Sequence, residues 1–224
     1  MTGYFFLFGG FGDIMIKAII FDLQGTLVEN GVFPSPLKQA KYILRIDMSF
    51  SEFVTRFEKA FMTDNHPSLK DGFIKVCEEF RIGPKDFVLE KLVGLWNKNK
   101  LLSKSYPDTI PLLKELQGKY KLVLISNIDC FSIEMVDKHG LREYFDEVLL
   151  SCETGMAKSD KKFYKEILDR LGVDAEDVLI VGDSVESDMI TAKASGINGI
   201  LIDRGDRREY SPKILSLDEL KDHL

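Results

Sequence analysis

Asp22 closes the apolar run Ala18-Ile19-Ile20-Phe21 and is followed by Gly25 and Thr26. In open α/β sheets the ligand crevice lies outside the carboxyl ends of the strands. A carboxylate there, followed by a turn glycine and a hydroxyl, is well placed for chemistry. Its plainer reading is an aspartate that caps the next segment. Two more apolar runs end in polar groups, one at Ser126-Asn127 and one at Gly182-Asp183-Ser184, with Asp188 five residues beyond Asp183. Lys158 lies between them, in Gly155-Met156-Ala157-Lys158-Ser159-Asp160, just before a helical pattern. Three carboxylates, a hydroxyl and a lysine at one sheet edge would be costly without a cation and an anion to balance them. A Mg²⁺ held by the carboxylates and a phosphoryl group held by Ser126 and Lys158 would satisfy all of them. Taken singly, each has a plainer reading that carries less weight: Ser126 as a turn residue, Lys158 as a solvated lysine at a helix start and Asp188 as a surface carboxylate.

The elements that must bring these residues together are legible as apolar runs. Ile19–Phe21, Lys121–Ile125, Val148–Leu150, Val178–Val181 and Gly199–Ile202 read as five buried strands. Helical patterns separate them: Thr109 to Leu116, a segment ending near Gly140, Phe163 to Leu171, a segment ending near Ser195, and Leu217 to Leu224. Strands alternating with helices predict an α/β fold with a mainly parallel, Rossmann-like sheet covered on both faces. Pro34 and Pro36 mark a boundary, and between residues 36 and 103 the periodicity is helical, with no alternating strand pattern. Ser49 and Glu52 form a candidate capping box. Phe53, Phe57 and Phe61 share one helix face, and so do Phe73, Val76, Cys77 and Phe80. Phe87 through Trp96 gives another helix. The sheet is therefore expected to be interrupted by an all-helical insert of about four helices.

The bulk properties narrow the partners. A chain of 224 residues with 45% hydrophobic content can bury a sizeable core. A formal net charge of −6 argues against nonspecific binding to nucleic acid or an anionic membrane, and leaves room for a local basic pocket. Cys77, Cys130 and Cys152 are odd in number and far apart, which reads as buried, reduced thiols in a cytoplasmic protein. His66, His139 and His223 read as structural or solvated. Residues 1–14, with Tyr4-Phe5-Phe6-Leu7-Phe8 and a glycine-rich end, are too short to span a bilayer and form a poor signal peptide; they are taken as an N-terminal extension. The exposed face of the phenylalanine stripe is assigned to a core, which leaves a monomer or a homodimer open.

Taken in order, these residues resemble the motifs of the haloacid dehalogenase-like (HAD) hydrolase superfamily. Asp22-Leu23-Gln24-Gly25-Thr26 looks like the first motif, Ser126-Asn127 the second, Lys158 the third, and Gly182-Asp183-Ser184 with Asp188 the fourth. The resemblance spans nearly the whole chain from Met15. It implies an α/β core over residues 15–33 and 104–224 and a helical cap domain over 34–103. It also implies roles. Asp22 would be the nucleophile of an aspartyl-phosphate intermediate. Mg²⁺ would be bound by Asp22, Asp183, the backbone carbonyl of Gln24, and Asp188 directly or through water. Ser126 and Lys158 would hold the phosphoryl oxygens, with Asn127 helping through its backbone N–H. The substrate would be a small phosphorylated metabolite. Gln24 departs from the pattern, because family phosphatases carry a second aspartate there to move protons, and an amide cannot. Efficient hydrolysis of alkyl phosphates is thereby placed in doubt. The alternatives are a catalytically weak HAD protein that binds a phosphorylated ligand or partner, and a 2-haloacid dehalogenase. Against the dehalogenase, the fourth motif looks like the metal-binding form and the dehalogenase tyrosine is missing.

Overall fold

Strict alternation along the central strands shows how the core is built. In the computed structural model, which describes residues 15–224, β1 (Ala18–Asp22) is buried along its whole length. The expected extension over residues 1–14 lies outside the described residues. Ile19 and Phe21 enter one apolar cluster, while Ala18 and Ile20 enter a second on the opposite face. Seven further strands follow: β2 (Val28–Glu29), β3 (Lys104–Ser105), β4 (Lys121–Ser126), β5 (Glu147–Leu150), β6 (Val178–Gly182), β7 (Asn198–Ile202) and β8 (Lys213–Ile214). Among the described residues six of the eight strands form one sheet in the order β5-β4-β1-β6-β7-β8, with every pairing parallel. β4 and β6 repeat the alternation of β1, as expected of strands buried on both faces. β8 is a two-residue edge strand, too short to carry a periodic signal in the sequence.

The helices that follow the helical insert cover both faces. α5 (Thr109–Leu116), α6 (Glu134–Lys138) and a 3₁₀ segment, Leu217–His223, pack on the Ile19 face. The other face is covered by α8 (Lys161–Leu171) and by the segment Val185–Ile190 leading into α9 (Thr191–Ala194). Two of these differ from the sequence reading in winding rather than place: Val185–Ile190 is a π-helix, and the last segment is 3₁₀. Between β5 and α8, α7 (Ser151–Thr154) is a single turn closed by Gly155 in the left-handed region.

The insert consists of α1 (Pro36–Ile43), α2 (Phe50–Phe61), α3 (Leu69–Glu79) and α4 (Asp86–Leu102). Ser35, Ser49 and Ser68 each cap the first turn of a helix through the side-chain oxygen. The capping box is only half formed, because Glu52 pairs with Arg56 instead of turning back to Ser49. Phe53, Phe57, Phe61 and Phe73 are fully buried in an apolar cluster of their own, where Trp96 stacks on Phe57 and meets Phe61 and Phe73 edge-on. α4 runs six residues beyond Trp96, since no breaker lies there and Asn99 stays buried against the turn before it. β2 and β3 pair antiparallel at the root of the insert, Glu29 opposite Lys104. Of the thiols, Cys77 and Cys152 are buried, while Cys130 is only half-buried, which corrects the expectation for that residue. Among the described residues no helix is long and apolar enough to cross a membrane.

Candidate active site

Because β1 lies between β4 and β6, their carboxyl ends fall side by side. Asp22 is in register with Ile125, and Phe21 with Val181. Asp22, Ser126 and Gly182 therefore share one edge of the sheet. Lys158, in the loop before α8, reaches this edge from the side. Its ammonium donates to Asp22 Oδ1 at 2.5 Å and to Asp188 Oδ1 at 2.6 Å. Asp22 Oδ2 accepts from Thr26 Oγ1 at 3.2 Å, and Asp188 Oδ2 accepts from the Ser184 backbone N–H at 3.0 Å. Asp188 is fully buried and Asp22 nearly so. Two glycines make the crowding possible. A Cβ at Gly25, which sits at φ +89°, would overlap the Asp183 carboxylate, and one at Gly182 would overlap that of Asp188.

Carboxylate oxygens of Asp22, Asp183 and Asp188 lie within 4.8 Å of one another. Burial pushes the carboxyls of Asp22 and Asp183 above the ordinary range, and the neighbouring carboxylates add to it; Lys158 pulls both back. Burial also works against the Lys158 charge, but Asp188 and Asp22 outweigh it and hold the ammonium well above its usual pKa. One lysine does not balance three carboxylates. An all-oxygen donor set with surplus negative charge and no histidine or cysteine suits a hard divalent cation. Asp183, about a third of whose side chain is open, is also approached by the Arg208 guanidinium, which donates to its backbone carbonyl.

The insert closes the other side. Glu58 of α2 accepts from Asn127 Nδ2 at 2.6 Å, and Asn127 Oδ1 accepts from the Lys158 backbone N–H at 2.8 Å. Burial raises the Glu58 carboxyl to about 7, with Lys158 and the Asn127 bond pulling down and Asp188 and Asp22 pushing up. Close by, Trp96 Nε1 donates to Asp129 Oδ2 at 3.0 Å, and Ser151 Oγ donates to the Met62 carbonyl.

The structure thus gathers Asp22, Ser126, Asn127, Lys158, Asp183 and Asp188 at one edge. Ser126 is buried, and its hydroxyl makes a single long contact, 3.5 Å to the Asn127 carbonyl. The side chain of Gln24 is not among the carboxylates: its amide lies 3.7 Å from Met135 Sδ. Sequence reasoning missed Glu58, Arg208 and Asp129. No motif marks them, and only Asp129, two residues beyond Asn127, had a position that could have drawn attention.

A family model for haloacid dehalogenase-like hydrolases matches residues 16–196. The chain is 30% identical over 222 residues to a glyceraldehyde 3-phosphate phosphatase of Methanocaldococcus jannaschii, covering 93% of this chain and 96% of the relative. To the enzyme of that name from Methanopyrus kandleri it is 28% identical, covering 89% of each. A solved HAD phosphatase from Thermococcus onnurineus superposes with a TM-score of 0.61 at 26% identity, over 92% of this chain and 97% of that one. A HAD enzyme of Bacteroides thetaiotaomicron, solved with magnesium and inorganic phosphate, shares the fold with a TM-score of 0.58 at 22% identity, over 88% of this chain and 98% of that one.

Proposed function

The chain belongs to the haloacid dehalogenase-like hydrolases, and on that premise we propose that it is a Mg²⁺-dependent phosphatase of small phosphorylated metabolites, working through an aspartyl-phosphate. The observation that carries this reading is the position of Lys158, bonded at once to Asp22 and Asp188 beside Asp183. Asp22 Oδ1 or Oδ2 would attack phosphorus, and the bond to the leaving oxygen would break as the new one forms. Lys158 and Ser126 would hold phosphoryl oxygens, and the Lys158 charge would offset that of Asp22, so that an anionic substrate can approach. Asp22, Asp183 and Asp188, with the Gln24 backbone carbonyl, would hold the cation, whose chemistry when bound is to neutralise the phosphoryl oxygens.

The relatives' names point to a triose phosphate, a small phosphorylated metabolite. A panel of glyceraldehyde 3-phosphate, glycerol 3-phosphate, acetyl phosphate and p-nitrophenyl phosphate, with and without Mg²⁺, tests the reading. Phosphate release that needs Mg²⁺ and vanishes in Asp22→Asn is expected. Mg²⁺-independent release, or wild-type rates in Asp22→Asn after deamidation is excluded, would overturn it.

A further inference from the structure

Hydrolysis of an alkyl phosphate needs a proton for the departing alkoxide and a base for the attacking water. Gln24 can serve as neither, and its amide is turned to Met135. The other groups at the edge are committed. Asp22, Asp183 and Asp188 surround the cation position. Asp129 is engaged by Trp96, Ser132 and the Phe131 N–H. His66 lies on Phe61 and His139 against Ser103, both away from the carboxylates.

Glu58 is the acid left over. It comes from the insert, not from the sheet, and is only 7% exposed. Among the described residues no lysine or arginine pairs with it, and Asn127 is its single protein donor. The Lys158 N–H fixes the Asn127 amide so that its NH₂ must face Glu58. Among the described residues the second Glu58 oxygen has no hydrogen-bond partner. A carboxyl buried in this way is expensive to keep ionised, and a glutamine or leucine would pack there at lower cost. The charged groups that face it are Lys158, Asp188 and Asp22. On its own helix Lys59 is exposed, and Arg56 is engaged by Glu52 and Glu79.

We propose that Glu58 is the proton carrier of this phosphatase, doing from the insert what Gln24 cannot do from the sheet. The inference rests on the phosphatase reading. In the first half-reaction the protonated Glu58 gives its proton to the leaving oxygen as the P–O bond breaks and the Asp22–P bond forms. In the second, the Glu58 carboxylate takes a proton from water as water's oxygen attacks phosphorus, which releases Asp22 and inorganic phosphate and restores the acid. A carboxyl raised to about 7 populates both forms at neutral pH.

The test is Glu58→Gln, which keeps an acceptor for Asn127. kcat/KM for glycerol 3-phosphate should fall by about 10²–10³-fold, and that for p-nitrophenyl phosphate, whose leaving group is a weak base, by less than about tenfold. The limb of the pH profile near 7 should disappear with glycerol 3-phosphate. Adding Gln24→Asp to Glu58→Gln should restore alkyl turnover by at least about tenfold, within the range a positioned acid–base supplies. Equal losses on both substrates, an unchanged alkyl rate, or a surviving pH limb would overturn the proposal while leaving the phosphatase reading intact. A wild-type protein inactive on every phosphate overturns both. Should the variant not fold, NMR of wild-type protein carrying ¹³C-labelled glutamate decides: one carboxyl titrating near 7 is expected, and its absence overturns the proposal.

Discussion

Trp96 and Asp129 are hydrogen-bonded across the junction of insert and sheet, the indole N–H lying 3.0 Å from Asp129 Oδ2. Ser132 and the Phe131 N–H supply the other donors to that carboxylate. Trp96→Phe keeps most of the ring in the phenylalanine cluster but strips one donor from a buried charge. The expected loss is about 2–3 kcal/mol of unfolding free energy in urea. A loss under about 0.5 kcal/mol would mean that the bond does not hold the insert down.

Lys158→Ala removes the ammonium that bridges Asp22 and Asp188. kcat/KM for p-nitrophenyl phosphate should fall by about 10³-fold or more, roughly 4 kcal/mol of barrier. A loss smaller than about threefold would remove Lys158 from the phosphoryl site.

Asp183→Asn removes one full charge from the acidic cluster without touching the proposed nucleophile. Mg²⁺ affinity by calorimetry should drop about tenfold or more, since a hard cation is held chiefly by carboxylate charge. Equal affinity in both proteins would move the cation elsewhere.

The pH dependence of stability provides a measurement independent of catalysis. The Glu58 carboxyl sits at about 7 in the fold against an ordinary value of 4.5. Between those values the folded state holds a proton that the unfolded chain has lost, so this residue's contribution falls as pH rises through the window and levels off above it. The total is of the order of 3 kcal/mol. Glu58→Gln should lack this component, and the difference between the two proteins' urea midpoints should widen in favour of the variant from pH 4.5 to 7. Parallel curves would show that Glu58 titrates normally.

The strands and their polar ends were legible because a strand buried on both faces is an unbroken apolar run, so Asp22, Ser126 and Asp183 stand out where the runs stop. Lys158 and Asp188 were legible only through their order relative to those strands. Glu58 was not. It adjoins Phe57 on an amphipathic helix that also carries Glu52, Arg56 and Lys59, where a carboxylate reads as solvated. Its meaning comes from Asn127, a contact 69 positions away in the chain. β2 and β3 were hidden for a different reason: two residues cannot show a period of two. The π-wound turn at Val185–Ile190 was equally invisible, because apolar spacing specifies a helix there and not its winding.

The pairing of Glu29 with Lys104 has an evolutionary and engineering consequence. The insert leaves and re-enters through one point, so to the sheet it is a closed loop whose contents can change at little entropic cost to the remainder. Transplanting residues 30–103 between relatives would then be a modular exchange. With Glu58 inside the module, such a chimera is expected to inherit the donor's pH optimum and leaving-group preference, while Asp22, Ser126 and Lys158 stay those of the host.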